Sequence, residues 1–459
     1  MSFPINGRIA IIDDNINQAR PLMDVLSSKQ YPFTYYSGEL KYLPSKEDFC
    51  NDIRVVFLDI NLIDNSEHDE KTLRSMLVPV LTRIISPKNY PFVIVYWSRH
   101  ENHQKLIKDI FETDLKDRKP IGFLNESKLN YFNLDGSPSE ELENSIDQLF
   151  GRIDVLLNEN PVFSYLLHWE NTVHISADNT VQELYSFTNS TKDWEHEANY
   201  VFNKLGKSYS GKYFDRSSPE EKINSSFQAL NSVFLDTLEY ETNSKPVDIP
   251  RLLIPEAANH DSIISINKKL LLSFDTSELQ YSGIVIENNK KADKTEYSEL
   301  INNLIFPNIK KHIYEREGID PYMEIDLHKR KGLEKLVSIE LKQFKEVLLE
   351  KQFRIILNVT PLCDFVQKKQ KYDRLVKGLL IESKFKSSLD DKSEAIFISP
   401  DFLFNGLSYF LVLDFKYFFT DNVEENDDYK PIFRIRQQVL SEVQSKLARH
   451  VNRQGILFL

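Results

Sequence analysis

The sequence predicts a multidomain chain: an α/β domain over residues 1–158, a helical middle over 159–246, and a β-rich α+β domain over 247–459. Three observations carry this reading. Two short apolar runs, Ile9–Ile12 and Val55–Leu58, each end in acid, at Asp13-Asp14 and at Asp59. Between Ser137 and about residue 245, apolar residues recur at helical spacing. From about residue 250, strand-length apolar runs alternate with turns.

In the N-terminal part, Ile16, Ala19, Leu22, Met23 and Leu26 mark a first helix within residues 15–30. Phe33–Tyr36 is a short strand. A helix then runs through Leu73, Met76, Leu77, Val80, Leu81 and Ile84. Phe92–Trp97 is a fourth strand, and Gly122-Phe123-Leu124 lies in a fifth. His100 and His103 open the helix between them; a solvated helix start accounts for them more simply than a metal. Ser137-Pro138-Ser139-Glu140 has the form of a capping box with proline at the first helical position. The stripe Leu142, Ile146, Leu149, Phe150, Ile153, Leu156 and Leu157 follows, and Pro161 breaks it.

A second helical stretch runs from Val162 to Phe187, and Ser218-Pro219-Glu220-Glu221 repeats the start signal before Ile223, Phe227, Leu230 and Phe234. Trp169 and Trp194 are expected in the core of this region. Further on, strands are expected at Lys269–Leu272, Gly283–Ile286, Arg354–Val359, Gly378–Ile381, Ala395–Ile398 and Tyr409–Leu413. Asn288–Lys294 reads as a polar linker. Helices are expected at 296–315, 332–352 and 436–450, giving a small barrel with an inserted helical hairpin.

The chain is 41% hydrophobic and 27% charged, as a globular protein with real cores should be. Its formal net charge of −12 argues against a general nucleic-acid-coating role. Two cysteines, Cys50 and Cys363, make no disulfide framework. The N-terminus has no basic region leading into an apolar one, and no apolar run is long enough to span a bilayer. A cytoplasmic protein without a membrane partner is expected. With 13 glycines there is no Gly-rich phosphate loop.

The chemistry starts from the acids. A buried strand that ends in a carboxylate delivers it to the edge of a sheet, where open α/β sheets bind ligands. Asp13, Asp14 and Asp59 would therefore gather and repel one another unless something positive sits among them. A hard cation such as Mg2+ suits such oxygen ligands.

The order and spacing of Asp13-Asp14, Asp59, Ser98 and Gly122-Phe123 resemble the receiver domain of bacterial two-component response regulators, over roughly residues 5–150. The resemblance implies a five-stranded, parallel, doubly wound α/β fold. It implies that Asp59 accepts phosphate from a histidine kinase or phosphotransfer protein. Asp14 and Asp59 would hold Mg2+, with Asp13 nearby and the Asn61 carbonyl as a further ligand. Ser98 would bond the phosphoryl oxygen, and Phe123 would be the aromatic that swings with it. Two departures stand out. The family's lysine, four residues past the glycine, is here Glu126, and the turn after Asp59, Leu62-Ile63-Asp64-Asn65, lacks the family's proline. Strand alternation places Glu126 and Lys128 on one face, which makes Lys128 the candidate for the missing cation. Otherwise the site is a weakened or dead receiver.

In the second half, Asp401, Asp414 and Lys416 fit the spacing of an acid followed by acid-x-Lys, which holds Mg2+ in restriction-type nucleases. A common Pro-Asp turn and a chance Asp-x-Lys explain them more simply. Cys363 follows a strand, where a nucleophile could stand, but a buried structural cysteine is the plainer account. Lys368-Lys369-Gln370-Lys371 reads as a solvated face. Arg434, Arg436, Arg449 and Arg453 could hold an anion, or simply make the last helix basic at its C-terminal end.

The expected function is phosphoacceptor signalling, by an atypical response regulator or a decoy receiver of the kind found in bacterial antiviral defence. It would control a downstream protein partner. The helices after the receiver would serve as a relay or a homodimer contact, or simply pack as a domain. The alternative is a Mg2+-dependent effector nuclease in the C-terminal half, gated by a degenerate receiver.

Overall fold

The computed structural model describes residues 4, 6–45, 50–62, 68–99, 103–133, 137, 139–140, 142–186, 194–244, 260–274, 280–320, 326–390 and 393–452. The expectations for Ile63-Asp64-Asn65, His100, Pro138, Phe187 and Arg453 lie outside these residues. The chain divides into two compact units: Met1–Val201 with Leu230–Leu253, and Phe202–Ala229 with Ile254–Leu459.

The first unit contains a five-stranded, all-parallel sheet. Its strands are β1 (Ile9–Ile12), β2 (Phe33–Tyr36), β3 (Val55–Leu58), β4 (Val93–Ser98) and β5 (Gly122–Ser127), in the order β2-β1-β3-β4-β5. Every residue of β1, β3 and β4 is buried, because helices cover both faces. Ile9, Ile11, Val55, Phe57 and Val95 meet Leu22 and Leu26 of α1 (Ile16–Ser28) and Leu149 and Ile153 of α4 (Leu142–Asn158). Ala10, Ile12, Val56 and Leu58 meet Leu77 and Leu81 of α2 (Glu70–Ile84) and Ile107 and Ile110 of α3 (Gln104–Thr113). The sheet's alternation thus splits one apolar run into two cores.

α5 (Pro161–Ser186) belongs to this unit. Its Glu170 takes a two-pronged ion pair from Arg54 (2.7 and 2.9 Å) and another from Arg8 (2.5 Å), at the strand starts. α6 (Trp194–Ser210) and α7 (Pro219–Ser244) each contribute residues to both units.

Two details differ from the sequence reading here. α4 starts at Leu142, not beside Ser137. Ser137 is held in a loop: its carbonyl accepts from the Asn133 amide (2.9 Å), its hydroxyl accepts from Asn133 Nδ2 (3.0 Å), and the Ser139 amide returns to the Tyr131 carbonyl (3.0 Å). Trp169 and Trp194 are more than half exposed, at 53% and 56%, rather than in a core. Trp169 lies two residues from Leu167, roughly opposite on the helix from the side where Phe163 and Leu167 are buried.

The second unit is built on one antiparallel sheet. In chain order its elements are α8 (His260–Leu271), β6 (Leu272–Ser273), β7 (Ile284–Asn288), α9 (Lys294–Arg316), α10 (Leu327–Glu350), β8 (Gln352–Asn358) and α11 (Leu362–Val366). There follow β9 (Asp373–Glu382), β10 (Ile396–Ile398), β11 (Phe402–Phe404), β12 (Leu407–Asp421), β13 (Tyr429–Ile435) and α12 (Gln437–Asn452). The eight strands run β10-β12-β9-β8-β7-β13-β6, with β11 added on β12.

One face packs Leu357, Val376 and Leu411 against Leu440 and Val443 of α12. The other packs Leu379, Ile381 and Val412 against Tyr297, Leu300 and Leu304 of α9. The α9–α10 hairpin expected from the sequence is present. The sheet curls but stays open: among the described residues no ladder joins β10 to β6, so the expected barrel is not closed. Lys269–Leu271, expected as strand, ends α8 instead, and only Leu272 goes on into β6. Among the described residues no helix is long and apolar enough to cross a membrane.

Candidate functional site

Parallel register builds the site. Ile12 of β1 lies opposite Leu58 of β3, so the next residues, Asp13 and Asp59, leave the sheet side by side at its carboxyl edge. The Asp59 amide donates to the Ile12 carbonyl (2.8 Å), and the Asp13 amide to the Tyr36 carbonyl (3.1 Å), which keeps both acids in the sheet's frame. Asp13 Oδ1 accepts from the Asn15 amide (3.0 Å), and Asp59 Oδ1 accepts from the Asn61 amide (3.3 Å). Asp13 and Asp59 are buried and Asp14 is half-buried.

The Lys128 side chain closes the cluster. Its ammonium donates to Asp13 Oδ2 (2.6 Å) and to Asp59 Oδ2, and the residue is only 1% exposed. Burial by itself would lower the Lys128 pKa, but the Asp59 and Asp13 charges outweigh it and hold the ammonium above its ordinary value. Burial raises the Asp13 carboxyl to about 6, with Lys128 pulling it down and Asp59 pushing it further up.

Lys128 and Glu126 do not share a face. The alternation argument needs β5 to continue, but it ends at Ser127, and Lys128–Asn130 form a 3-10 turn. Glu126 therefore points elsewhere. It accepts from Arg152 Nε (2.6 Å) and Arg152 Nη2 (2.6 Å) of α4 and from the Tyr131 hydroxyl (2.7 Å). The repulsion expected from Glu126 is thus met by a bidentate guanidinium.

Ser98 ends β4 opposite Ser127 and is fully buried. Phe123 does not join the cluster. It lies opposite Ile94, four residues before Ser98 on the paired strand, which is roughly 13 Å along β4. Its ring meets Phe111 edge-on, with centroids 6.2 Å apart, in the core beneath α3.

Asp13, Asp14 and Asp59 present carboxylate oxygens that lie within 4.8 Å of one another. Lys128 pairs with two of the three carboxylates, so the set is still rich in negative charge and in hard oxygen donors. That composition suits a divalent cation of the Mg2+ type. It is the one such cluster of His, Cys, Asp or Glu among the described residues.

The second set does not converge. Asp401 precedes β11, whose Phe402 pairs with Tyr409, while Asp414 pairs with Ile396 of β10. Tyr409 and Asp414 are five residues apart on β12, which is roughly 17 Å. Asp401 is instead paired with Lys386 (2.8 Å). Asp414 is buried; its Oδ1 accepts from the Lys416 amide (3.0 Å) and its Oδ2 has no hydrogen-bond partner among the described residues. Burial raises its carboxyl above the ordinary range. Lys416 is exposed. Cys363, expected to be buried, stands exposed in the first turn of α11. Lys368 pairs with Glu221 (3.4 Å), and the Arg434 guanidinium lies 4.7 Å from the Tyr281 ring centre.

The sequence pointed to the acids and to Lys128, but missed Arg152. The i+3 stripe of α4 drew attention to its apolar residues, and nothing local marks Arg152 as the partner of Glu126. Comparison with known protein families gives no match, and comparison with curated proteins gives none either.

Proposed function

We propose that the N-terminal unit is a phosphoacceptor of the receiver type, and that the chain acts as an atypical response regulator or decoy receiver. The observation that carries this reading is the Lys128 ammonium seated between Asp13 and Asp59 at the carboxyl edge of a parallel sheet. It removes the main objection raised by Glu126.

In this reading an Asp59 carboxylate oxygen attacks the phosphorus of a phosphohistidine on a kinase or phosphotransfer protein. A P–O bond forms, the P–N bond breaks, and the imidazole leaves with the electron pair and takes a proton. Asp13, Asp14 and Asp59 with the Asn61 carbonyl would hold Mg2+, which would supply positive charge against the phosphoryl oxygens. Lys128 turns from the Asp59 carboxylate to the phosphoryl oxygens, and Ser98 donates to one of them. The net charge of −12 favours a protein partner downstream over DNA.

Intact-mass spectrometry of the full chain with Mg2+ and acetyl phosphate, or with beryllofluoride, tests the proposal. One adduct, absent from Asp59→Asn, is expected. A folded wild-type chain that takes no adduct would overturn it.

A further inference from the structure

Resting on the reading of the acid cluster as a Mg2+-dependent phosphoacceptor, we propose that Tyr35 is a positioning residue for the metal: its hydroxyl fixes the peptide between Asp13 and Asp14, and with it the place from which Asp14 reaches the cation.

The acids stand just past the regular sheet. β1 ends at Ile12, and its paired residues with β2 and β3 end there too. Lys128 ties down Asp13 and Asp59 through their side chains. Asp14 follows Asp13 directly, so the peptide plane between the two sets where the Asp14 Cα stands.

β2 grips that stretch of backbone. The Asp13 amide donates to the Tyr36 carbonyl (3.1 Å), and the Asp13 carbonyl accepts from the Tyr35 hydroxyl (2.7 Å). A carbonyl oxygen lies in one plane with the next amide and the next Cα, so holding the oxygen holds the plane. Tyr35 does this from below the sheet edge. It lies opposite Ile11 on β1, its ring packs on the core that contains Ile9 and Ile11, and its hydroxyl reaches up to the acids. The acids act on it in return. Burial first, then the charges of Asp13 and Asp14, raise the Tyr35 pKa to about 12.

Bonds that orient the ligands of a metal count toward its affinity. This one is a single neutral hydrogen bond, so its loss should weaken binding about fivefold.

The test uses the full chain as wild type, Tyr35→Phe and Thr34→Ala. Tyr35→Phe keeps the packed ring and removes the hydroxyl alone. Thr34→Ala, at an exposed position on the other face of the same strand, lowers strand propensity away from the acids. Mg2+ affinity is measured by titration calorimetry with no phosphodonor present. Adduct formation from acetyl phosphate is followed across Mg2+ concentrations, and thermal melting reports stability. Tyr35→Phe should bind Mg2+ about fivefold more weakly and need about fivefold more Mg2+ for half-maximal adduct formation, with the wild-type rate restored at saturating Mg2+. Thr34→Ala should keep the wild-type affinity.

A hydroxyl with a merely structural role would lower the melting temperature and leave Mg2+ affinity where it was, and that result would overturn the proposal. So would an equal loss of affinity in Thr34→Ala, or a wild type that binds no Mg2+. If Mg2+ binding follows the variants as described while no variant takes an adduct, the phosphoacceptor reading fails and the role of Tyr35 stands. If Asp59 takes an adduct and Tyr35→Phe binds Mg2+ as the wild type does, the role of Tyr35 fails and the phosphoacceptor reading stands.

Discussion

Two sets of residues in this chain have the same composition and different fates. Asp13, Asp59 and Lys128 meet; Asp401, Asp414 and Lys416 do not. The difference lies in strand direction. In the parallel sheet, neighbouring strands end at the same edge, so the residue after each strand arrives beside its counterpart: Ile12 against Leu58 puts Asp13 beside Asp59. In the antiparallel sheet, a residue that moves forward on one strand moves backward on its neighbour. Asp401 and Asp414 are thereby carried to different levels of β12, and each finds its own local partner. An acid-rich motif is thus informative only with the direction of its strands.

The largest expected effect separates the two lysines. Lys128→Ala leaves Asp13 and Asp59 buried without their cation and should cost roughly 3–5 kcal/mol. Lys416→Ala, at an exposed position, should change stability by less than about 0.5 kcal/mol. Trp97, Trp169 and Trp194 all belong to the Met1–Val201 part, so tryptophan fluorescence in urea reports the first variant selectively, and backbone circular dichroism reports the second. Equal costs would break the comparison.

A smaller effect separates the two Ser-Pro-x-Glu starts. At α7 the capping box is complete: the Ser218 amide donates to Glu221 Oε2 (2.8 Å) and the Glu221 amide to Ser218 Oγ (3.2 Å). Ser218→Ala should cost about 1 kcal/mol in urea unfolding. Ser137→Ala, ahead of a helix that begins five residues later, should cost less than about 0.5 kcal/mol.

The smallest effect concerns pH. Burial raises the folded Asp414 carboxyl, so the folded state binds that proton more tightly than the unfolded state. The resulting penalty is full above the folded-state pKa and vanishes once both states are protonated. Asp414→Asn should therefore raise the thermal midpoint at pH 7, and the gain should shrink as the pH falls toward 4. A gain that is independent of pH would show that the charge of Asp414 is not its source.

The sequence by itself determined the strands of the N-terminal sheet, because short apolar runs bounded by polar residues leave few other choices. It determined that Asp13, Asp14 and Asp59 stand at strand ends, and it marked Lys128 as a candidate. It determined most helices, through stripes at 3.6-residue spacing, and the α9–α10 hairpin. What it left undecided depended on contacts that the local helical and strand patterns do not encode. Whether Ser137 caps a helix was decided by Asn133, four residues back, whose amide and side chain hold it in a loop. Whether Glu126 opposes the site was decided by Arg152, 26 residues on, and by the end of β5 at Ser127. Whether the C-terminal strands close was decided by curvature and register, which among the described residues leave β10 and β6 without a ladder between them. Local pattern fixes where a side chain enters the fold; the partner that sets its charge and direction arrives through tertiary packing, where sequence spacing carries no signal.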